Sequence, residues 1–107
     1  MQVKPGDIFA CDGSFYQTIK ATTKTATIRP IERTFEGYAD EYGWEKKFMP
    51  IPGSFTNDPW MGREKSEKGQ RLKLHDFTRD KIRPELHMGH RTLIFWDGTP
   101  SVLDTYN

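Results

Sequence analysis

The chain has one cysteine, Cys11, so it cannot form an internal disulfide, and nothing in it calls for an oxidising compartment. It also lacks any run of 18 apolar residues, and its opening segment, Met1-Gln2-Val3-Lys4-Pro5-Gly6-Asp7, has no apolar stretch of the signal-peptide kind. A cytoplasmic location with no membrane partner is the expectation. A large excess of one charge is missing as well. Sixteen Lys and Arg against 15 Asp and Glu leave +1, which argues against a disordered polyelectrolyte and a uniformly basic nucleic-acid coat. Apolar residues make up only 35% of 107, so the core is small and the 3 Trp, 4 Tyr and 7 Phe must supply much of its buried area. A single β domain over residues 1–107 is expected.

Motifs that carry chemistry are equally scarce. No Gly-Lys-Ser/Thr or Gly-x-Gly-x-x-Gly loop is present to cradle a phosphate. Neither Gly-x-Ser-x-Gly nor another nucleophile setting surrounds Ser14, Ser54, Ser66, Ser101 or Cys11, and Cys11 reads as a small core residue at the end of an apolar strand. His75, His87 and His90 with Asp76 supply zinc-type donors, but Pro84 and Gly89 break the helical spacing such a site would use, so solvated loop histidines are the better reading. No catalytic residue, metal ligand or cofactor is expected.

What the chain does contain is a succession of short alternating segments bounded by turn residues. Ile8-Phe9-Ala10-Cys11 is an apolar strand, and Asp12-Gly13 is a tight-turn signal because both residues tolerate φ > 0. A second strand, Phe15 to Ala21, places Phe15, Gln17, Ile19 and Ala21 on its more apolar face. Thr25 to Phe35 is rich in β-branched residues, and Pro30, which has no N–H, predicts an edge or a bulge with a bend near Arg29 to Ile31. Residues 36–45 show no period and read as an acidic loop. Lys46 to Gly53 forms a short edge strand ended by proline, and Asn57-Asp58-Pro59-Trp60 has the chemistry of a helix start. Gln70 to His75 alternates with Leu72 and Leu74 inward, residues 76–90 hold at most a helical turn capped by Thr78, and Arg91 to Trp96 is the last clear strand, before a tail that adds an edge strand or frays. The expected fold is mainly β: a small antiparallel, partly open SH3-like barrel with long irregular loops and at most one or two short helices.

Charge distribution says more than net charge. Residues 32–45 hold five acids against Arg33, whereas residues 63–91 hold nine Lys and Arg against five acids. A basic side carrying Arg63, Lys65, Lys68, Arg71, Lys73, Arg79, Lys81, Arg83 and Arg91, with Trp60 and Phe77 interleaved, has the composition to contact phosphates and stack bases; Glu64, Glu67, Asp80 and Glu85 dilute it toward an ordinary surface. Trp96 ends an apolar strand and reads as core, but Trp44 and Trp60 sit among polar and turn residues, where an exposed Trp acts as an interface anchor. The candidate binding residues are therefore Trp44, Trp60, Arg63, Arg71, Lys73, Phe77 and Arg91.

Taken together, Gly6-Asp7-Ile8-Phe9, Phe15-Tyr16-Gln17, Thr25 to Ile31 and Trp96-Asp97-Gly98-Thr99-Pro100 resemble small bacteriophage and prophage proteins. That resemblance implies an accessory protein in the cytoplasm of a bacterial host, acting by binding a host protein, a nucleic acid or a signalling molecule. The sharpest form of that expectation is a non-enzymatic inhibitor of a host or defence process, working as a monomer or small homo-oligomer. A nucleic-acid-binding barrel is the alternative. Lys4-Pro5-Gly6-Asp7-Ile8 also looks like the opening of barrel toxins that cleave messenger RNA, a third and minor expectation.

Overall fold

The computed structural model describes residues 2–75 and 83–104. Eight strands and one short helix follow in the order β1 (Ile8–Cys11), β2 (Ser14–Ala21), β3 (Thr25–Tyr38), β4 (Glu45–Phe55), α1 (Arg63–Lys68), β5 (Gln70–His75), β6 (Glu85–Met88), β7 (Arg91–Phe95) and β8 (Ser101–Asp104). Six of them form a ring: β2 pairs β1, β1 pairs β7, and the sequence continues through β6, β5 and β3 back to β2, with every pairing antiparallel. The expected small antiparallel barrel with one short helix is what the chain forms, and its ring closes. Closure removes the unpaired edges that a small open sheet exposes.

Local chemistry explains the first hairpin. Asp12 at φ 46 and Gly13 at φ 79 both occupy the left-handed region, the pairing a two-residue hairpin turn needs, and β1 and β2 pair from Cys11↔Ser14 to Ile8↔Gln17. The inward face of β2 differs from the sequence expectation. Tyr16 and Thr18 point into the barrel and are buried, while Ile19 is 37% exposed. Alternation is regular from Phe15 to Thr18, and the less apolar set, Tyr16 and Thr18, is the one that faces in; Ile19 keeps to the outer set, and the bulge between Thr18 and Lys20 then turns Ala21 onto the barrel core. Phe15 is buried too, but in a separate cluster on the outer side of the ring.

Strand β3 changes partners at its proline. Its first residues, Thr25 to Ile28, pair with β5, and from Ile31 onward it pairs with β4. The Pro30 carbonyl accepts from the Thr56 amide, so the proline ring nitrogen faces this same edge, at the gap between one partner and the next where no N–H is needed. A register shift between Ile31 and Arg33 follows at once. The strand therefore runs out of the ring after its proline, pairs with β4, and β8 adds to the far side of β4. This three-stranded arm extends what the sequence suggested: β4 runs to Phe55 through Pro50 and Pro52, β3 continues to Tyr38, and β8 is the tail strand.

Two apolar clusters result. Val3, Phe9, Tyr16, Ala26, Ile28, Met61, Leu86, Met88 and Leu93 fill the barrel, and Ile8, Phe15, Ile31 and Phe48 form a smaller cluster beneath the arm, packed with Ala10, Trp96 and Leu103. The barrel and arm meet at Gly13. Its amide donates to Ser101 Oγ at 2.9 Å, its carbonyl accepts from Arg33 Nη1 at 2.7 Å, and a Cβ there would come within 3.0 Å of Leu103 and 3.1 Å of Phe48.

Two further expectations are corrected. Asn57-Asp58-Pro59-Trp60 forms a turn, in which the Asp58 carbonyl accepts from Met61 and Gly62, and the helix begins only at Arg63. Glu85 to Met88 is a strand: only four residues long between Pro84 and Gly89, it gave no alternating signal long enough to separate from a loop. The helical turn proposed at Thr78 lies outside the described residues.

Candidate functional site

The end of the barrel beneath α1 is built around one aspartate. Asp58 Oδ1 accepts from the Trp60 amide at 2.9 Å, Oδ2 accepts from the Tyr16 hydroxyl, and the Asp58 amide donates to Ser66 Oγ at 3.0 Å. Arg91 Nη1 donates to the Tyr16 hydroxyl at 2.8 Å and lies 3.9 Å from the Asp58 carboxylate. Arg29 Nε donates to the Ser66 carbonyl at 2.8 Å, which satisfies a helix-end acceptor and ties α1 to the barrel wall. Burial, then hydrogen bonding to Asp58 and its charge, pushes the Tyr16 phenol well above the ordinary tyrosine range, so it serves as a neutral donor. Burial works against the charge on Arg91, but the Tyr16 and Cys11 groups outweigh it and hold the guanidinium protonated.

This network fixes the backbone under an exposed side chain. Trp60 is 74% exposed, yet its amide is held by Asp58 and its neighbour Met61 is buried as a plug in the barrel end. The Arg91 guanidinium sits 5.3 Å from the Trp60 ring centroid, in cation–π range. Trp60, Lys65, Gln70, Met88, Gly89, His90 and Arg91 line a cleft of about 460 Å³.

The arm presents a second surface. A row of rings that starts buried at Phe48 runs into solvent through Phe35 and Tyr38, with centroid separations of 5.9 and 5.2 Å. At the tip Tyr42 and Trp44 lie 5.6 Å apart, and Tyr42 is 71% exposed. Asp40 shapes this tip by accepting from the Trp44 and Glu45 amides at 2.9 and 3.0 Å, so it is a loop-forming residue rather than one of a free acidic cluster. Glu32, Glu36, Glu41 and Glu45 are exposed on the same stretch of chain as the aromatics, whereas Lys46 and Lys47 are half-buried.

Of the residues singled out from sequence, Trp60 and Arg91 come together at the barrel end, and Arg91 is mostly enclosed, with 15% of its side chain exposed. Trp44 is on the arm. Arg63 pairs with Glu67 along α1 at 3.1 Å, an exposed pair of small energetic weight. Arg71 and Lys73 project from β5 on the outer face, opposite Thr27 and Thr25, and Lys20 joins the same row through its pairing with Thr27. Phe77 lies outside the described residues, as do Arg79 and Lys81 of the proposed basic side. Sequence reasoning missed Tyr16, Asp58, Phe35, Tyr38 and Tyr42. The three arm aromatics carried a signal in their density between Phe35 and Trp44, whereas a contact between residues 16 and 58 leaves none in a single sequence.

His75 and His87 stack nearly parallel at 4.2 Å, and Glu85 contacts His87 at 3.1 Å. Among the described residues no group of three or more His, Cys, Asp or Glu is placed to hold a metal ion. Burial pushes the Cys11 thiol up, against the opposing pull of Arg91, which disfavours a reactive thiolate. No helix among the described residues is long and apolar enough to cross a membrane. Comparison of the chain with protein-family models, curated proteins and solved structures gives no match.

Proposed function

We propose that this chain is a non-catalytic accessory protein that acts by binding another protein through its arm. The observation that carries the reading is the run of exposed rings, Phe35 and Tyr38 on β3 and Tyr42 and Trp44 in the loop that follows, on an arm projecting from a closed barrel. Large apolar side chains grouped in solvent mark contact surfaces, and aromatics are the residues that anchor them. The surrounding glutamates select a partner surface with basic residues at its rim. Resemblance of both ends of the chain to bacteriophage proteins supports a host protein as that partner, with inhibition of a host or defence process as the outcome. The test is affinity capture from nuclease-treated bacterial lysate with the native chain and with a Tyr42→Ala/Trp44→Ala variant. A protein retained by the first and lost by the second supports the proposal. Retention that ignores the arm substitutions, or a turnover abolished by one His or Asp substitution, overturns it.

A second reading rests on the row formed by Lys20, Arg71 and Lys73 across β2, β3 and β5. No acidic side chain pairs with these three among the described residues, and such a row fits a nucleic-acid backbone. Its mark is affinity that falls steeply with salt and weakens on every sequence when Arg71 or Lys73 becomes Ala. Incubation of the purified chain with RNA, inspected for discrete cleavage, tests the ribonuclease expectation.

A further inference from the structure

We propose that the cleft at the barrel end is a binding site for a free mononucleotide, a flat heteroaromatic ring carrying phosphate. The volume of about 460 Å³ falls within the range of small-molecule sites, roughly 300–1,000 Å³. One wall is the Trp60 indole, and Met88 adds a second apolar contact. Cationic or imidazole groups arrive from three separate elements: Lys65 from α1, His90 from the β6–β7 turn and Arg91 from β7. No acidic side chain lines the cleft, because the Asp58 carboxylate is occupied beneath it by Tyr16 and the Trp60 amide.

Each half of a nucleotide then has a partner. A base stacks on Trp60, and the Gln70 amide and the Gly89 backbone are at hand for the polar atoms on its edge. The phosphate meets Lys65, which has no ion-pair partner among the described residues although Arg63 and Lys68 on the same helix are paired to Glu67 and Glu64. Arg91 contributes charge from below rather than a direct clamp, since two of its N–H groups are already donated to Tyr16 and Cys11. The wall is set before the ligand arrives: Asp58 holds the Trp60 backbone, so stacking does not have to order that segment. An uncharged aromatic ligand would leave Lys65 unused, and an inorganic anion would leave Trp60 exposed.

The experiment is isothermal titration of the full chain with AMP, GMP, CMP and UMP, with adenosine and inorganic phosphate as the two halves, and with a five-residue oligonucleotide. At least one monophosphate binds saturably and more tightly than either half. Trp60→Ala weakens it roughly tenfold or more, as loss of one base–aromatic stack requires. Lys65→Ala weakens the monophosphate while leaving adenosine unchanged. Both side chains are exposed, and unchanged circular dichroism confirms that the variants are folded. Adenosine binding as well as AMP, or affinity unmoved by Trp60→Ala, overturns the assignment. Binding of the oligonucleotide with none of the monophosphates overturns it as well, in favour of a nucleic-acid end. The Tyr42→Ala/Trp44→Ala variant retains nucleotide binding, so failure of this site and failure of the arm as a protein contact are told apart.

Discussion

The ring and the arm share strand β3, and its two halves behave as different materials. Before Pro30, alternate residues Ala26 and Ile28 are fully buried in the barrel. After Ile31 no residue of the strand is buried, and its large side chains, Phe35 and Tyr38, face solvent. One half is spent on stability and the other on surface. A chain of this size has room for one main core, so an extension from it carries exposed chemistry supported by only a small cluster of its own.

Substitutions probe that division in order of size. Ile28→Ala removes a fully buried side chain from the ring and should cost about 2–5 kcal/mol in chemical denaturation; a change lost in the noise of the melt would move the main core elsewhere. The Tyr16 phenol offers a measurement by pH. Its pKa is raised in the folded state, so the folded chain keeps a proton that the unfolded chain releases near pH 10. The stability this provides is complete below about pH 10 and falls as pH rises further, by up to about 1.4 kcal/mol per pH unit. Tyr16→Phe should flatten that alkaline decline, whereas Tyr42→Phe, on the exposed arm tip, should leave it intact. Equal slopes in both variants would place the titrating group elsewhere.

Smaller effects sharpen the contrast further. Ile19→Ala should cost at most about 1 kcal/mol because the side chain is on the outer face and partly in solvent, and a loss equal to that of Ile28→Ala would restore Ile19 to the barrel interior. Tyr42→Ala should move stability by less than about 0.5 kcal/mol while abolishing arm-dependent capture. A large destabilisation from that change would make the tip a structural element and remove the basis for reading it as a contact surface.

The pair Ile19 and Ile28 also shows what a sequence can and cannot disclose. Strand β5 was legible from its alternation and β1 and β7 from short apolar runs bounded by turn residues, and Asp12-Gly13 announced its own geometry. The inward face of β2 left no mark, since Phe15 and Ile19 make the outer set the more apolar one and the buried Tyr16 hydroxyl is satisfied only by Asp58 and Arg91, far along the chain. Phe15 was rightly expected to be buried, but against the arm, a layer that residues 36–45 gave no periodic reason to anticipate. At the barrel end, the exposure of Trp60 was readable from its polar neighbours. Its fixing was not, because Tyr16, Asp58 and Arg91 are joined only by the fold.

The Asp12-Gly13 turn governs where this protein tolerates a graft. Short surface turns are ordinarily the safe places to insert a tag or a reporter. Here the turn is the seat of the arm: Ser101, Arg33, Leu103 and Phe48 all close on Gly13, and even a methyl group would crowd the last three. A label inserted there would unseat the surface it was meant to report on. The tip at Tyr42 and Gly43 would carry the label but mask the rings, which leaves the exposed Thr22 to Lys24 turn, at the other end of β2 from Gly13, as the place for a handle.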